Sequence, residues 1–446
     1  MKAHKYLKVT ILSIFIILGI IFSSAGNSRT VFQKEDDPYP LFFLQKNLTA
    51  ILINDNISPP AASRDYVYPQ LAAYYILSLQ VSGKKIYDSI RHFPRIRLGD
   101  KEVYSRSLAA AYAFFEVARK IIYTEQPFVD SFPVLLDWYT KKGLTPSLFA
   151  PSKKMGEAVA EQIIQWMNGD GFIETRRMNK YVLQTTSGKW QPTAPGYFAA
   201  VEPHWGEIRP LFISTMNGLQ RFSPKLFDTA VQSKYYQEAK KVYDIASNLT
   251  NEQKQIAAFW DCNPFALRTS GHVQQFVKKM SPGAHWLHIA EIACKKKQLG
   301  IKEASRVLAL TAATIFDAFI QTWGMKYEFS SIRPETFIQQ SGMDAGWQPF
   351  IQCPPFPEFP SGHAVISSAS ASVLTNFFGA GFQYTDDTET IFGLPIRNFR
   401  SFKEAAAEAS ISRVYGGIHY PSSCITGERI GETVAYLILQ KTTLKK

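Results

Sequence analysis

Residues 358–367 read EFPSGHAVIS and place a serine, a glycine and a histidine side by side after a proline-rich stretch. Three interpretations of Ser361, Gly362 and His363 are open: a nucleophile with its base, an ordinary helix start, or a cradle for an anion. Taken alone, the tripeptide favours the helix start, because serine is a preferred N-cap residue whose side chain accepts a free backbone N–H group. The rest of the chain decides between the three.

Two other segments carry matching chemistry. The segment WGMKYEFSSIRPETF contains Lys326 and Arg333, and the segment AEASISRVYGGIHYPSS contains Arg413 and His419. Singly, each residue has an ordinary explanation, such as a solvated surface charge or a hydrogen-bonded loop histidine. Together with the helix start, three cations, two histidines and one hydroxyl predict a site that holds a tetrahedral oxyanion.

The order of these segments resembles the superfamily that joins type 2 phosphatidic acid phosphatases, bacterial class A acid phosphatases and vanadium-dependent haloperoxidases. Its pattern is Lys, six residues and Arg-Pro; then Pro-Ser-Gly-His; then Ser-Arg, five residues, His, three residues and Asp. The matching residues here are Lys326, Arg333-Pro334, Pro360-Ser361-Gly362-His363, Ser412-Arg413 and His419. The sequence departs from the pattern at Ser423, which stands where the aspartate belongs.

The resemblance implies a role for each matching residue. The oxygens of phosphate or vanadate would be bound by Lys326, Arg333, Arg413, the Ser361 hydroxyl and the Gly362 N–H group. His419 would attack phosphorus or coordinate vanadium as its axial ligand, and His363 would be the general acid and base. A neutral imidazole suits the first task, and an imidazole that titrates near the working pH suits the second.

Both phosphatases and haloperoxidases would use this cradle, because vanadate imitates the transition state of phosphoryl transfer. Membrane phosphatases of the superfamily carry several spanning helices, and no convincing span follows the N-terminal apolar run of this sequence. Soluble acid phosphatases that resemble the pattern are shorter than this chain of 446 residues. Trp323 and Phe356 stand where chloro- and iodoperoxidases resemble this chain in placing aromatics beside vanadate, although Trp323 also has the helical spacing of a core residue.

The resemblance therefore favours a haloperoxidase with a vanadate cofactor, which oxidises halide with hydrogen peroxide. One alternative is an exported acid phosphatase that cleaves a phosphate ester through a phosphohistidine at His419. The other is a non-catalytic protein that binds phosphate or vanadate, although an intact proton carrier at His363 argues against it.

Three residues are expected to support the site. By the resemblance, Asp261 or Asn263 orients Arg413. An aspartate at position 423 would hold the far nitrogen of the axial histidine and raise its basicity. Since Ser423 lends no charge, we expect His419 to be weakened more as a nucleophile than as a vanadium ligand, which favours the peroxidase.

Composition sets wider limits on function. The net charge of +12 suits an anionic substrate, or simply a basic surface, and no arginine–aromatic repeat indicates nucleic-acid binding. The four cysteines contain no CxxC pair, which argues against a metal–thiolate site. One or two disulfides are possible in an exported protein, and their pairing stays open.

The N-terminus predicts an export signal. Three lysines precede the uncharged run 9–22, and small residues follow at the positions that a signal peptidase reads, with cleavage expected after Ala25. An uncleaved N-terminal anchor is the alternative. We expect a periplasmic or secreted protein with no further membrane span.

Apolar periodicity predicts an all-α fold, and the resemblance implies the acid phosphatase/vanadium haloperoxidase fold of two units like four-helix bundles. The periodic segments are 71–79, 108–122, 155–167, 304–320, 365–378 and 404–415. Pro- and Gly-rich stretches at 186–197 and 342–360 predict long functional loops. We expect a signal peptide at 1–25, an N-terminal helical region at 26–230 and the catalytic bundle at 231–446, with a boundary near 223–232.

Overall fold

The computed structural model describes residues 35–79, 81–98, 102–214 and 219–442. The predicted export signal at 1–25 lies outside these residues. Fourteen α-helices are described: α1 Tyr39–Asn54, α2 Pro59–Ser78, α3 Arg106–Ala118, α4 Glu125–Lys141, α5 Phe149–Asn168, α6 Phe172–Arg177, α7 Lys234–Ser247, α8 Asn251–Phe259, α9 Pro282–Lys296, α10 Ile301–Phe329, α11 Pro334–Gln340, α12 Gly362–Phe378, α13 Phe402–Tyr415 and α14 Pro421–Thr442.

Strands are few in the described part of the chain. Strands β1 (Leu267–Ser270) and β2 (Val273–Phe276) form one antiparallel hairpin. Strands β3 (Tyr384–Asp386) and β4 (Arg397–Phe399) form a second antiparallel pair. The all-α prediction is confirmed.

Many helices begin where a hydroxyl side chain caps them. Seven residues accept the backbone N–H group three positions ahead: Ser58, Ser105, Ser233, Thr250, Ser281, Ser361 and Ser401. Each cap satisfies one N–H group that the first turn leaves without an intrahelical partner. The predicted helix start at Ser361 is one of the seven.

Each of the six predicted periodic segments falls on a helix, with small differences at the ends. Helix α3 stops at Ala118, short of the predicted end at Ile122. Ile122 is nevertheless buried against the core. Apolar periodicity reports burial, which continues here beyond the last helical hydrogen bond.

Helix α10 is the central element. It packs against α2 on one side and against α9 and α12 on the other. Around α2, the helices α1, α3 and α5 form one group, and around α12, the helices α13 and α14 form another. One hydrophobic cluster extends from Leu41 to Ile438 and includes residues on both sides of the boundary predicted near 223–232.

Among the described helices, α10 is long and apolar enough to cross a membrane, but 94% of its most apolar window is buried inside the protein. This is the composition of a core helix. Its last turn carries Lys326, so a buried core helix also positions a charged residue of the predicted site.

Candidate active site

Five segments bring the predicted site residues together. Helix α10 supplies Lys326 near its C-terminal end, Arg333 caps α11, and α12 begins at Gly362. Arg413 lies in the last turn of α13, and His419 lies in the short connection to α14. Residues separated by up to 93 positions therefore meet around one cleft.

The cavity in this cleft has a volume of about 30 Å³. Its lining includes most of the predicted residues: Asp261, Asn263, Trp323, Phe356, Gly362, His363, Arg413 and His419. Lys326, Arg333 and Ser361 are fully buried directly behind this lining.

His419 is held by a carboxylate that the sequence analysis missed. Its Nδ1 lies 2.7 Å from Oε1 of Glu358, and its Nε2 lies 3.2 Å from Nη1 of Arg333. Arginine can only donate, so Nε2 is the acceptor and carries a lone pair. Nδ1 therefore carries the proton and donates it to Glu358. This tautomer leaves Nε2 as the nitrogen able to ligate or attack.

Glu358 takes the place of the expected aspartate. It accepts the backbone N–H of Tyr420 at 3.1 Å on Oε1 and the hydroxyl of Ser423 at 2.7 Å on Oε2. Burial raises the pKa of Glu358 to about 7, while the Ser423 hydroxyl and the Arg333 and Lys326 charges oppose the rise. Three donors aimed at one carboxyl group favour its ionised form.

The expectation that Ser423 leaves His419 without a charged partner is therefore wrong. Ser423 hydrogen-bonds to the carboxylate that holds His419, and the charge comes from Glu358. Glu358 belongs to the same stretch that contains Ser361, but 61 positions separate it from His419 along the chain. The contact between Glu358 and His419 can be identified only from the path of the loop that carries Glu358.

Arg413 is oriented by a backbone carbonyl. Its Nη1 donates to the carbonyl oxygen of Trp260. Asp261 instead pairs with Lys279, and the Asn263 amide donates to the Gln352 carbonyl. The expected side-chain support from Asp261 or Asn263 is thus replaced by the main chain beside them. Asp261 still acts through its charge, which partly offsets the lowering of the Arg413 pKa by burial.

His363 presents an uncommitted ring nitrogen. Its Nε2 is buried and makes no hydrogen bond among the described residues. Burial lowers the pKa of His363 well below its ordinary value, and the Arg413 and Lys326 charges lower it further, while the Trp260 backbone acts in the opposite direction. His363 is therefore neutral near pH 7 unless a nearby anion offsets these charges.

Lys326 and Arg333 are anchored by backbone carbonyls from the loop at 342–360. The ammonium group of Lys326 donates to the carbonyls of Pro357, Glu358 and Pro360 at 2.9, 3.0 and 2.6 Å. Arg333 donates to the Phe356 carbonyl through Nε and Nη2, at 3.1 and 2.8 Å. These bonds anchor both side chains, and Arg333 lies beside His419. Burial and the neighbouring Arg333 charge lower the pKa of Lys326 well below its ordinary value, an effect that a bound anion would oppose.

The N-terminal end of α12 adds hydrogen-bond donors to the site. The Ser361 hydroxyl accepts the N–H of Ala364 at 3.5 Å and also lies within hydrogen-bond reach of the Cys424 thiol. A side chain on Gly362 would contact Trp323 and Lys326, at 3.7 and 3.9 Å from a Cβ atom. The backbone therefore passes close to the cationic group at the positive end of the helix.

Trp323 and Phe356 form an aromatic wall of the cleft. Their ring centroids are 4.9 Å apart, and the Lys326 Nζ lies 5.2 Å from the centroid of Phe356. Trp323 also packs on Phe319, with 5.4 Å between ring centroids. Trp323 therefore belongs to the hydrophobic core and also lines the cleft.

The residues present fit a tetrahedral oxyanion such as vanadate. Arg413 Nε, Arg413 Nη2 and His363 Nε2 are buried polar atoms with no hydrogen-bond partner among the described residues. Buried donors of this kind are costly unless something accepts from them. Arg413 and His363 line the same cleft as His419, whose Nε2 carries a lone pair.

The four cysteines are buried free thiols at positions 262, 294, 353 and 424. The disulfides considered possible from the sequence are not formed. Burial raises the pKa of Cys353 and Cys424, so both favour the uncharged thiol.

Comparisons with known proteins agree with this geometry. Residues 306–444 match the family model described as the VCPO second helical-bundle domain. The structure of a bacterial vanadium-dependent iodoperoxidase superposes with a TM-score of 0.85 and 37% sequence identity, covering 92% of this chain and 98% of that one.

A holo-type bacterial vanadium-dependent chloroperoxidase shares the fold, with a TM-score of 0.63 and 17% identity over 90% of this chain and 92% of that one. No curated protein sequence matches. The iodoperoxidase likeness extends over nearly the whole of both chains at substantial identity. The protein therefore belongs to the family of bacterial vanadium-dependent haloperoxidases.

Proposed function

We propose that the protein is a vanadate-dependent haloperoxidase that oxidises iodide with hydrogen peroxide to hypoiodous acid. The observation that carries this proposal is the arrangement around His419, whose unprotonated Nε2 faces the cleft that also contains the uncommitted donors of Arg413 and His363. Iodide is the proposed halide because the relative at 37% identity is an iodoperoxidase.

Vanadate would be held by His419, Arg413, Lys326, Arg333, the Ser361 hydroxyl and the Gly362 N–H group. When bound, it supplies the Lewis acidity that makes hydrogen peroxide an oxidant for halide. Arg413 contributes the most direct contact, because its Nε and Nη2 have no other acceptor. The three cations together neutralise the anion in a site shielded from water.

Glu358 maintains the reactive tautomer of His419. By accepting the Nδ1 proton it keeps Nε2 unprotonated and raises its basicity, as a carboxylate does for many metal-bound imidazoles. The Ser423 hydroxyl and the Tyr420 N–H hold the carboxylate in the plane where it can do this. We assign Glu358 as a positioning residue.

His363 transfers protons during the reaction, and the proton that each turnover consumes comes from solvent. Iodide, hydrogen peroxide and one proton give hypoiodous acid and water, so each turnover needs a proton delivered inside the cleft. The cations around His363 depress its pKa, and an anion bound between them would raise it again. The same imidazole then takes a proton from peroxide and returns one to the leaving oxygen.

Phosphoryl transfer is a second candidate function. It is favoured by one structural observation that could not be predicted from the sequence. Glu358 gives His419 the charged partner that a nucleophilic histidine uses. Ser423 therefore does not disfavour a phosphohistidine at His419. The choice between the two activities rests on the family likeness and on direct assay.

The assay uses purified full-length protein freed of vanadate, with and without added orthovanadate. We expect iodide oxidation by hydrogen peroxide only when vanadate is present, with inhibition by phosphate. Hydrolysis of a generic phosphate ester, inhibited by vanadate and unaccompanied by iodide oxidation, would overturn the proposal. His363→Ala should lose most turnover while keeping its vanadate affinity within about tenfold, since proton transfer contributes mainly to rate.

Export is part of this proposal, on the evidence of the lysines and the apolar run before Ala25. N-terminal sequencing of the protein recovered from its producing cells tests it. A mature chain beginning after Ala25 is expected. A chain that keeps its first residues and stays with the membrane would indicate the anchor instead.

A further inference from the structure

A second buried cluster of reactive side chains adjoins the cleft, and one of its members, Cys262, also lines the cleft. Cys262 follows α8, His285 belongs to the first turn of α9, and Glu389 belongs to a 3₁₀ turn after β3. The thiol sulfur, one imidazole nitrogen and one carboxylate oxygen all lie within 4.8 Å of one another. His285 is 0% exposed, Cys262 2% and Glu389 5%.

The hydrogen bonds around His285 determine which of its nitrogens is protonated. Nε2 lies 2.9 Å from Oδ2 of Asp386 and 2.7 Å from the hydroxyl of Thr388. The Thr388 hydroxyl donates its own hydrogen to Oδ1 of Asp386, at 2.6 Å. Both neighbours of Nε2 are therefore acceptors, and Nε2 carries a proton.

The other side of the ring faces Glu389 without a hydrogen bond. His285 Nδ1 lies 3.2 Å from Oε1 of Glu389, yet neither atom has a hydrogen-bond partner among the described residues. The two atoms lie within ion-pair distance, so a proton on Nδ1 makes their contact favourable. A metal ion bound by both atoms can take the place of that proton, since in a tetrahedral site with bonds near 2.0 Å two ligand atoms lie about 3.3 Å apart.

We propose that Cys262, His285 and Glu389 bind a zinc ion through Sγ, Nδ1 and Oε1. Thiolate, imidazole and carboxylate form the mixed ligand set that zinc accepts and that calcium and magnesium do not. Asp386 is then the carboxylate that fixes the ligand tautomer of His285 from its far side. Binding displaces the thiol proton of Cys262 and any proton on Nδ1.

Absence of a CxxC pair argued against a metal–thiolate site in the sequence. That pattern detects sites built on several thiolates, whereas this one uses a single thiolate with nitrogen and oxygen ligands. The three residues come from positions 262, 285 and 389, so no local motif marks them.

The site has a structural role next to the cleft. The ring of Trp260 stacks on His285, with 4.5 Å between centroids and an interplanar angle of 16°. The carbonyl of the same tryptophan holds Arg413. A metal that fixes the His285 ring therefore also fixes the main chain that orients the cation of the cleft.

Metal content tests the proposal without any activity assay. Purified full-length protein, prepared without chelator, should contain about one zinc per chain by elemental analysis. Chelator-treated protein should bind Co²⁺ with the near-ultraviolet absorption of a cobalt–thiolate bond. Added zinc should also raise the thermal midpoint of the treated protein, because a ligand of the folded state stabilises it.

Matched variants locate the ion. Cys262→Ser and Glu389→Gln should weaken zinc binding by at least about tenfold. Cys294→Ser removes a buried thiol elsewhere, and His419→Ala removes an imidazole of the cleft, so both should retain the ion. Failure of the chelator-treated wild-type protein to bind Zn²⁺ or Co²⁺ overturns the proposal whether or not a variant folds. Equal binding by Cys262→Ser and wild type also overturns it, as does stoichiometric copper or iron in place of zinc.

Discussion

The protein buries two histidine–carboxylate pairs whose surroundings carry opposite charge. In the cleft, His419 Nδ1 contacts Glu358 at 2.7 Å and its other nitrogen faces Arg333. In the second cluster, His285 Nε2 contacts Asp386 at 2.9 Å and its other nitrogen faces a second carboxylate. The second nitrogen of the ring thus faces a cation in one pair and an anion in the other.

These charges determine the protonation state of each histidine. Burial lowers the pKa of His419, and the Arg333, Lys326 and Arg413 charges lower it further. Burial also acts to lower the pKa of His285, but the charge and hydrogen bond of Asp386 outweigh it and raise the pKa well above its ordinary value. A carboxylate behind a histidine therefore fixes its tautomer, while the charges in front decide whether it serves an anion or a cation.

The largest expected effect comes from removing the uncommitted cation of the cleft. Arg413→Ala should weaken orthovanadate binding by at least about 30-fold, because losing one member of a buried charge contact costs about 2–5 kcal/mol. Isothermal titration with orthovanadate measures it, with the exposed Arg400→Ala as control. An affinity within threefold of wild type would show that Arg413 does not face the anion.

Glu358→Gln keeps the shape of the side chain but removes its charge from behind His419. We expect orthovanadate affinity to fall by about 10- to 100-fold, the usual effect of losing an outer carboxylate at a metal-bound histidine. The buried Glu335 does not contact His419, so Glu335→Gln is the matched control. Ser423→Ala retains the carboxylate and should cost less than Glu358→Gln. The reverse order would return the central role to Ser423.

The free energy of unfolding should depend on pH in opposite directions at two buried histidines, His363 in the cleft and His285 in the second cluster. The folded-state pKa of His363 is lowered, so its contribution is present above the unfolded value of 6.5 and is lost as pH falls. The folded-state pKa of His285 is raised, so its contribution is present below 6.5 and is lost as pH rises.

Denaturant midpoints between about pH 5 and 8, recorded with chelator and without vanadate, measure this contrast. His363→Gln should stabilise the protein relative to wild type most at the acid end, and His285→Gln should destabilise it most there. Each titrating group changes the free energy of unfolding by at most about 1.4 kcal/mol per pH unit. Parallel pH profiles for both variants would contradict the comparison.

The smallest effect is expected at Asp261, one of the two residues that the resemblance indicated as support for Arg413. Asp261→Asn should change orthovanadate affinity by no more than about fivefold, because Asp261 pairs with Lys279 and reaches Arg413 only through its charge. The same titration measures it. A loss as large as that of Arg413→Ala would reinstate Asp261 as the orienting group.

The sequence predicts the parts of the site that depend on local chain chemistry. A helix start at Ser361 follows from its capping hydroxyl, and Lys326 follows a helical run that continues into α10. The relative placement of Arg413 and His419 is also predictable from their spacing, because both lie on one helix end and the short connection that follows it. These relations are set within a few residues, where the backbone leaves few choices.

Long-range pairings could not be predicted in the same way. Glu358 meets His419 because an irregular loop folds back on α14, and Trp260 supports Arg413 through a carbonyl that every residue type possesses. His285 meets Asp386 from 101 positions away. Neither apolar periodicity nor residue spacing predicts such contacts. From the sequence, Ser423 therefore indicated that His419 lacks a carboxylate partner, whereas in the structure Ser423 donates to Glu358, which is that partner.

The central claim is that His419, oriented by Glu358, holds vanadate in the cleft. Titration of vanadate-free protein with orthovanadate, followed by ⁵¹V NMR of the bound anion, tests it most directly. The account predicts one bound vanadate per chain, displaced by phosphate, absent in His419→Ala and weakened in Glu358→Gln. Binding by His419→Ala with unchanged affinity and spectrum would contradict it.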